Sequence, residues 1–339
     1  VADPRFYDRL GPFSVKEIAA LSGAAIFDSA TENEPVDDVQ PIGSATAGAL
    51  SYLDGSSTPD DLGGAAVLVL AGMAQAVTDA GGIALVHEAP RTGFARAADA
   101  LFRQRLCLHD TAIHPDADIH PDARIGPGAV LGAGVTVGAG AIILANVVIG
   151  PGCSIGAGTR IGAGASISCA DLGEGCNILA GAVIGEAGFG IAVSDQGVTD
   201  VPHLGSVEIG NRVTLGGSSC VDRGVFGATS IGDGTKIDNM CHVAHNCRVG
   251  RNVLMPAYCG LAGSVVIEDG AMFGGGTGVF EHCRIGKNAR LAANSVVSRS
   301  VPDGETWSGV PARPIRQYQL EQLAIRRLAR ASGNKKSKG

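Results

Sequence analysis

Three of the eight histidines in this chain, His242, His245 and His282, fall close together, around the segment Ile237-Asp238-Asn239-Met240-Cys241-His242-Val243-Ala244-His245-Asn246. An imidazole, with an unperturbed pKa of about 6.5, serves as a general base near neutral pH. Eighteen residues after His245 comes Gly263, and eighteen further comes Glu281, beside His282. If eighteen residues make one turn of a coil, these positions form a column with steps of ~4.8 Å, which sets His282 ~10 Å along the axis from His245. The backbone N–H of Gly263, free of any side chain, then stands where it can meet a developing oxyanion. A base and an oxyanion donor about 5 Å apart suit attack on an acyl carbonyl.

The figure of eighteen comes from the repeat that must position these residues. From Ile113 to Ile167 an aliphatic residue recurs at every sixth position, through Ile119, Ile125, Leu131, Val137, Ile143, Ile149, Ile155 and Ile161. From Ile231 to Val297 the rule holds again, through Ile237, Val243, Val249, Met255, Leu261, Ile267, Phe273, Val279, Ile285 and Leu291. Neither a helix nor a plain strand spaces apolar residues this way. A period of six is that of a parallel β-helix, in which each hexad is a short strand plus a turn and three hexads make one triangular coil. Each aliphatic is expected to point inward onto its copy eighteen residues away. Gly follows the aliphatic in the hexads of Ile125, Leu131, Val137, Ile149, Ile155 and Ile161, as a tight corner without room for a Cβ requires. The fifth position is small, as at Ala117, Ala123, Ala129, Ala141, Thr159 and Ala165. Cys153, Cys241, Cys247, Cys259 and Cys283 occupy that same position. With no C-x-x-C pair, they read as inward-packed small hydrophobes of a reducing compartment, and neither a disulfide framework nor a metal site is expected.

Composition bounds the partners. Gly makes up 51 of 339 residues, about twice the usual share, and the hexads account for the excess. The net charge is −7, but between Arg313 and Gly339 eight Lys or Arg face one acid, Glu321. The acidic remainder is a poor nucleic-acid binder, while the basic end suits an acidic partner. No signal peptide opens the chain and no apolar run has the length of a membrane span. A cytoplasmic protein with at most peripheral membrane contact is expected.

The hexad divides the chain in three. Residues 1–108 lack it. Ser14-Val15-Lys16-Glu17 is a capping box that opens a helix through Leu21. Strands over 50–53, 66–70 and 83–86 with a helix over 91–102 complete a small α/β domain. Residues 109–305 form the β-helix, with two interruptions: the Gly-rich stretch 186–206, which should leave the coil as a loop, and the ten residues between Val221 and Ile231 that replace six. Loops leaving a rigid coil often carry function. Residues 306–339 are a helical extension with a basic tail, the helix spanning roughly 315–331 and the final Gly-Asn-Lys-Lys-Ser-Lys-Gly frayed.

The hexad pattern resembles that of the hexapeptide-repeat acyltransferases, whose coil is a left-handed parallel β-helix. More specific motifs accompany it: Gly185-Glu186-Ala187-Gly188-Phe189-Gly190, Val221-Asp222-Arg223-Gly224, Ala244-His245-Asn246 and Leu261-Ala262-Gly263-Ser264. With these the whole chain resembles the UDP-3-O-(3-hydroxyacyl)glucosamine N-acyltransferases of lipid A synthesis. The related O-acyltransferases of the preceding step usually carry Asp after the catalytic His and lack the N-terminal domain, so Asn246 and residues 1–108 favour the N-acyltransferases. The resemblance implies a homotrimer with clefts between prisms, and His245 as the base that deprotonates the glucosamine 2-amine. It implies a 3-hydroxyacyl thioester on acyl carrier protein as donor, Gly263 N–H as oxyanion donor and His282 as a substrate contact. Asp238 and Asn239 become candidates for binding the donor or supporting the base, and His242 for meeting the pantetheine arm. No separate cofactor is implied, because the 4′-phosphopantetheine arrives with the carrier.

Residues 1–108 become a uridine-binding domain, with Tyr52 as the aromatic that stacks on uracil. The family's following Asn and Tyr are replaced here by Gly55 and Thr58, so either the nucleotide is held differently, with Asp54 a candidate substitute, or the domain binds it weakly. Three other readings compete. One is a nucleotide-sugar N-acetyltransferase using acetyl-CoA. Another is a non-enzymatic β-helix binding protein, which has no need of His245 opposite Gly263. The third is zinc, as in the carbonic-anhydrase branch of the fold, whose histidine pair is spaced unlike His242-x-x-His245. The basic C-terminal segment, with Arg313, Arg316, Arg326, Arg327 and Arg330, argues for an acidic carrier protein.

Overall fold

A computed structural model describes residues 2–55 and 57–336, with side chains through Ala329. In the prism most hexads spend only two residues in extended backbone, and the two alternate in burial: Arg160 is exposed beside buried Ile161, and Arg248 beside buried Val249. The outward residue can be charged at no cost while the inward one must be apolar. Strands then stack in parallel register, Ile125 on Ile143 on Ile161, and Ile237 on Met255. The result is three faces, in sheets of nine, eleven and nine strands, parallel throughout except for the last pair of the eleven-stranded sheet, Thr306–Ser308 against Arg313–Pro314. Ladders of fully buried aliphatics, among them Leu131, Ile149 and Ile184, fill the axis. Each such side chain is worth roughly 1.5–3 kcal/mol, and because a coil touches only its neighbours the stability accrues coil by coil. The fifth-position cysteines are buried within the same core, and the described thiols are all free.

Three details differ from the expectation. The Gly after the aliphatic is needed for close approach between coils rather than for the corner itself: a Cβ on Gly132 would lie 2.6 Å from the Pro151 nitrogen of the next coil. The left-handed residue of the corner comes two positions later, at Gly134 with φ 66°. Secondly, the repeat is interrupted four times, the last where two residues are lost after Val297, so that Leu291 faces Trp307. After Ile167 a hexad loses one residue, so that Ser154 faces Asp171 and Ser166 faces Val183. The 186–206 stretch does leave the coil, but its centre is an antiparallel hairpin, Ile191–Ser194 against Gly197–Asp200. Thirdly, the ladder is incomplete at its start: Ile113 is exposed and Ile119 and Ile125 only half-buried, because no coil lies beneath them.

The N-terminal region packs against the side of the prism. Its five-stranded sheet runs in the order Ala25–Ile26, Ile83–Val86, Ala66–Val69, Ala49–Tyr52, Asp38–Val39, and helices α1 (Val15–Ser22), α2 (Ala74–Asp79) and α3 (Pro90–Leu101) accompany it. The capping box at α1 is complete: Ser14 Oγ accepts from the Glu17 N–H, and the Glu17 carboxylate accepts from the Ser14 N–H at 2.7 Å. Several contacts fix this region to the prism, three of them of different kinds. Arg5 donates to both oxygens of Asp171 at 2.9 and 2.8 Å. The buried Tyr7 hydroxyl donates to the His203 carbonyl at 3.0 Å. An aromatic row runs from Tyr52 through Phe94 to Phe226 on the prism, with centroids 4.9 and 5.6 Å apart.

At the other end α4 spans Ile315–Lys336. It continues through Gly333 and Asn334, within the segment expected to fray, and residues 337–339 lie outside the described residues. Apolar Leu320, Leu323, Ile325 and Leu328 of this helix are exposed. No helix among the described residues is long and apolar enough to cross a membrane.

Candidate active site

Where the N-terminal region meets the prism there is a cavity of about 600 Å³. Tyr52 and Arg91 line it from one side, Phe189 and Ile191 from the 186–206 excursion, and His245, Asn246, Gly263 and His282 from the prism. The eighteen-residue column thus opens into a space that also contains the aromatic of the N-terminal sheet. Tyr52 is half-buried, with Phe94 against its ring, so it both packs on the core and faces the cavity. Burial pushes its phenol up from the ordinary tyrosine range, so it is uncharged at neutral pH.

His245 sits on a corner whose second residue, Asn246, is left-handed with φ 59°. The Asn246 amide is oriented by two backbone groups: Oδ1 accepts from the Val225 N–H at 3.0 Å, and Nδ2 donates to the Phe226 carbonyl at 2.6 Å. Its Oδ1 also lies 3.2 Å from His245 Nδ1. Since a Val225 N–H can only donate, Oδ1 is an acceptor and Nδ1 must carry the proton. That leaves Nε2 with a free lone pair, the tautomer a general base needs. Nε2 lies over Gly263: a Cβ there would be 2.8 Å from Nε2 and 2.7 Å from Cε1. Gly263 is therefore required for the ring to lie where it does, and its N–H makes no hydrogen bond among the described residues. His282, also left-handed at φ 58°, donates its N–H to the Gly263 carbonyl at 3.2 Å.

Behind His245 lies a layer in which Gly188, Asp222 and Arg223 come from the motifs noted in the sequence, while His203 was not singled out there. His203, 2 % exposed, packs edge-on to His245 with ring centroids 5.1 Å apart. Its Nδ1 donates to the Val201 carbonyl at 3.0 Å, and its Nε2 is buried without a partner. Burial, reinforced by neighbouring His245, drives His203 down to about 4, so it is neutral. Gly188 fits between these groups: a Cβ there would lie 3.0 Å from Asp222 Oδ2, 3.1 Å from His203 Nε2 and 3.1 Å from His245 Cδ2. The excursion is clamped by buried Arg223, whose Nε donates to the His203 carbonyl and Nη1 to the Gly185 carbonyl, both at 2.8 Å, while Nη2 reaches Gln104 at 3.1 Å. Those carbonyls belong to both ends of the excursion. The available signal was a charged Asp222-Arg223 pair next to an insertion, which no hexad rule explains.

The remaining candidates lie elsewhere. His242 points outward from its strand, and its Nε2 is 3.4 Å from Asp222 Oδ2. Burial pushes the Asp222 carboxyl up, opposed by the charges of His242 and His245. Asp238 and Asn239 sit one corner before His245: Asn239 Nδ2 donates to Asp238 Oδ1 at 2.8 Å, and its Oδ1 accepts from the Gly217 N–H. None of these three lines the cavity, and the side chain that reaches His245 Nδ1 is that of Asn246. Successive hexad corners point to different edges of the triangle, which is why six residues of separation divide them. Gly55 and Thr58 do not line the cavity either, and Ser56 lies outside the described residues. No three His, Cys, Asp or Glu side chains among the described residues are grouped to hold a metal ion.

Comparison with known proteins agrees with this architecture. The family profile described as bacterial transferase hexapeptide (six repeats) matches residues 135–169 and 228–263, and the hexapeptide repeat of succinyl-transferase matches 264–299. The chain is 57 % identical over 344 residues to the UDP-3-O-acylglucosamine N-acyltransferase of Maricaulis maris, covering 100 % of both. It is 47 % identical over 342 residues to that of Caulobacter vibrioides, covering 98 % of this chain and 99 % of the relative. Among solved structures, the UDP-N-acetylglucosamine acyltransferase of Francisella novicida is 27 % identical, with a TM-score of 0.47, over 60 % of this chain and 69 % of that one.

Proposed function

Because the chain belongs to the UDP-3-O-acylglucosamine N-acyltransferases, we propose that its cavity acylates the 2-amine of a UDP-3-O-(3-hydroxyacyl)glucosamine with a 3-hydroxyacyl group carried on acyl carrier protein. The activity is N-acyl transfer. The observation that carries the mechanism is the enforced tautomer of His245, with Nε2 unprotonated beside the unpaired N–H of Gly263. His245 Nε2 takes a proton as the amine attacks the thioester carbonyl. Gly263 N–H then meets the oxyanion. Collapse breaks the C–S bond, and the departing pantetheine sulfur receives the proton held on His245. Tyr52 offers its open face to uracil and His282 contacts the acceptor.

Asp238, Asn239 and His242, outside the cavity, are read as contacts for the carrier-borne donor in a homotrimer. The carrier itself docks on α4 by charge. Arg313 contributes little there, because Glu321 is paired with it. Arg330 has its side chain outside the described residues, which leaves Arg316, Arg326 and Arg327. Turnover of UDP-3-O-acylglucosamine with a series of 3-hydroxyacyl carrier thioesters tests the whole reading, and efficient turnover with acetyl-CoA instead would replace it with N-acetyl transfer. Reversing Arg326 and Arg327 to Glu should raise KM for the carrier-bound donor and flatten its salt dependence, since such contacts are screened over ~8 Å at physiological ionic strength. A carrier-free pantetheine thioester should react as before, and equal losses with both donors would end the docking idea.

A further inference from the structure

Among the described residues, one permanently cationic side chain lines the cavity: Arg91, the second residue of α3. Its Nε is buried with no hydrogen-bond partner, and no carboxylate among the described residues forms an ion pair with it. A buried donor left unpaired costs about 1–3 kcal/mol, and more on a charged group, so a group from outside the chain is the expected partner of this guanidinium. Arg91 shares the lining of the cavity with Tyr52 and with His245. The segment from Leu50 to Thr58 contains no Lys or Arg, so the aromatic side supplies no cation of its own.

A UDP-sugar carries its two phosphates between the base and the sugar. A planar guanidinium engages such oxygens in pairs, which a flexible ammonium does less well. We propose that Arg91 is the diphosphate-binding residue of this chain, its guanidinium bridging the phosphates between a uracil on Tyr52 and a glucosamine at His245. This rests on the UDP-sugar reading above and gives the cavity its cation in place of one from the 50–58 loop. Asp54 forms no ion pair with it among the described residues.

Calorimetric titration of the full-length protein with UDP and with uridine separates the possibilities. Arg91→Ala should weaken UDP binding by about tenfold to a hundredfold, the range of a charge-assisted hydrogen bond, and leave uridine unchanged. Arg91→Lys should recover part of the loss, and the salt dependence of UDP binding should flatten in Arg91→Ala. Tyr52→Ala should weaken both ligands alike. In turnover, Arg91→Ala should raise KM for the UDP-sugar with kcat within a few fold and KM for the acyl donor unmoved. Unaltered UDP affinity in a variant with wild-type thermal stability would overturn the assignment. Parallel loss of UDP and uridine would overturn it too, by reducing Arg91 to a support for Tyr52. Failure of the wild type itself to acylate UDP-3-O-acylglucosamine would instead remove the reading on which the proposal rests.

Discussion

The two runs of the prism use the same corner for different ends. In the first run most corner pairs are small, as at Ala133-Gly134, Ala139-Gly140, Ala157-Gly158 and Ala163-Gly164, with the Gly left-handed each time and Asn146 the one larger left-handed residue there. In the second run the same backbone corner carries His245-Asn246, Gly263-Ser264 and Glu281-His282, and the left-handed residue is Asn246, Ser264 or His282 at φ between 58° and 60°. A residue with a Cβ pays for that conformation, and proteins accept the cost where a side chain must be aimed. The coil is therefore a neutral scaffold, and chemistry enters where a corner exchanges Ala-Gly for larger residues. Only one edge of the second run does this under a roof, because the 186–206 excursion and the N-terminal sheet cover that edge and leave the others open.

The contrast breaks most sharply at His245. Its replacement by Ala should reduce turnover by about 10²–10⁴-fold, the usual worth of a positioned general base, with oligomer size unchanged because the side chain is no part of the inner ladder. Near wild-type turnover in the purified variant would sink the base assignment.

Gly263→Ala tests the corner itself. The added methyl must displace the His245 ring, and a 1 Å misplacement costs about 10²-fold in rate. Thermal stability should hardly move, since the contact is with a cavity-lining ring and not with the core. A fully active Gly263→Ala enzyme would mean that the ring does not need its present seat.

A third test concerns the roof. His203 has its folded pKa pulled down to about 4, against 6.5 for the unperturbed group. Between those values the unfolded chain takes up a proton that the folded one refuses. Its stabilising contribution is therefore complete above pH 6.5 and is lost as the pH falls toward 4. In unfolding scans from pH 7.5 to 4.5, His203→Gln should show a shallower fall in Tm than wild type. Parallel curves for the two proteins would exclude this contribution.

The smallest effect is expected in the first run. A Cβ on Gly164 meets nothing within 4 Å, and Asn is the side chain that best tolerates a left-handed corner. Gly164→Asn should change stability by no more than about 0.5 kcal/mol and leave turnover alone. A large loss of activity would show that the first run is not the inert scaffold described.

The hexad period was enough to place the coils of the runs 113–167 and 231–297, to predict which of their side chains stack, and to bring His245 and Gly263 together, because nearest-neighbour stacking at a fixed repeat is a one-dimensional rule. It also placed the cysteines inward. It missed the single-residue deletion after Ile167, since one shortened corner leaves the aliphatic ladder almost undisturbed. The Asn246 lock on the His245 tautomer, the buried His203 behind the ring and the Arg223 clamp on the excursion have no period. Those contacts join residues 20 to 119 positions apart. They depend on how a loop folds back on the prism, and the arrangement of Tyr52 and Arg91 depends on how the N-terminal sheet docks there through Phe94 and Phe226. Sequence determined the coil because its contacts recur locally, whereas the cavity, formed where three separate segments converge, was decided by the tertiary structure alone.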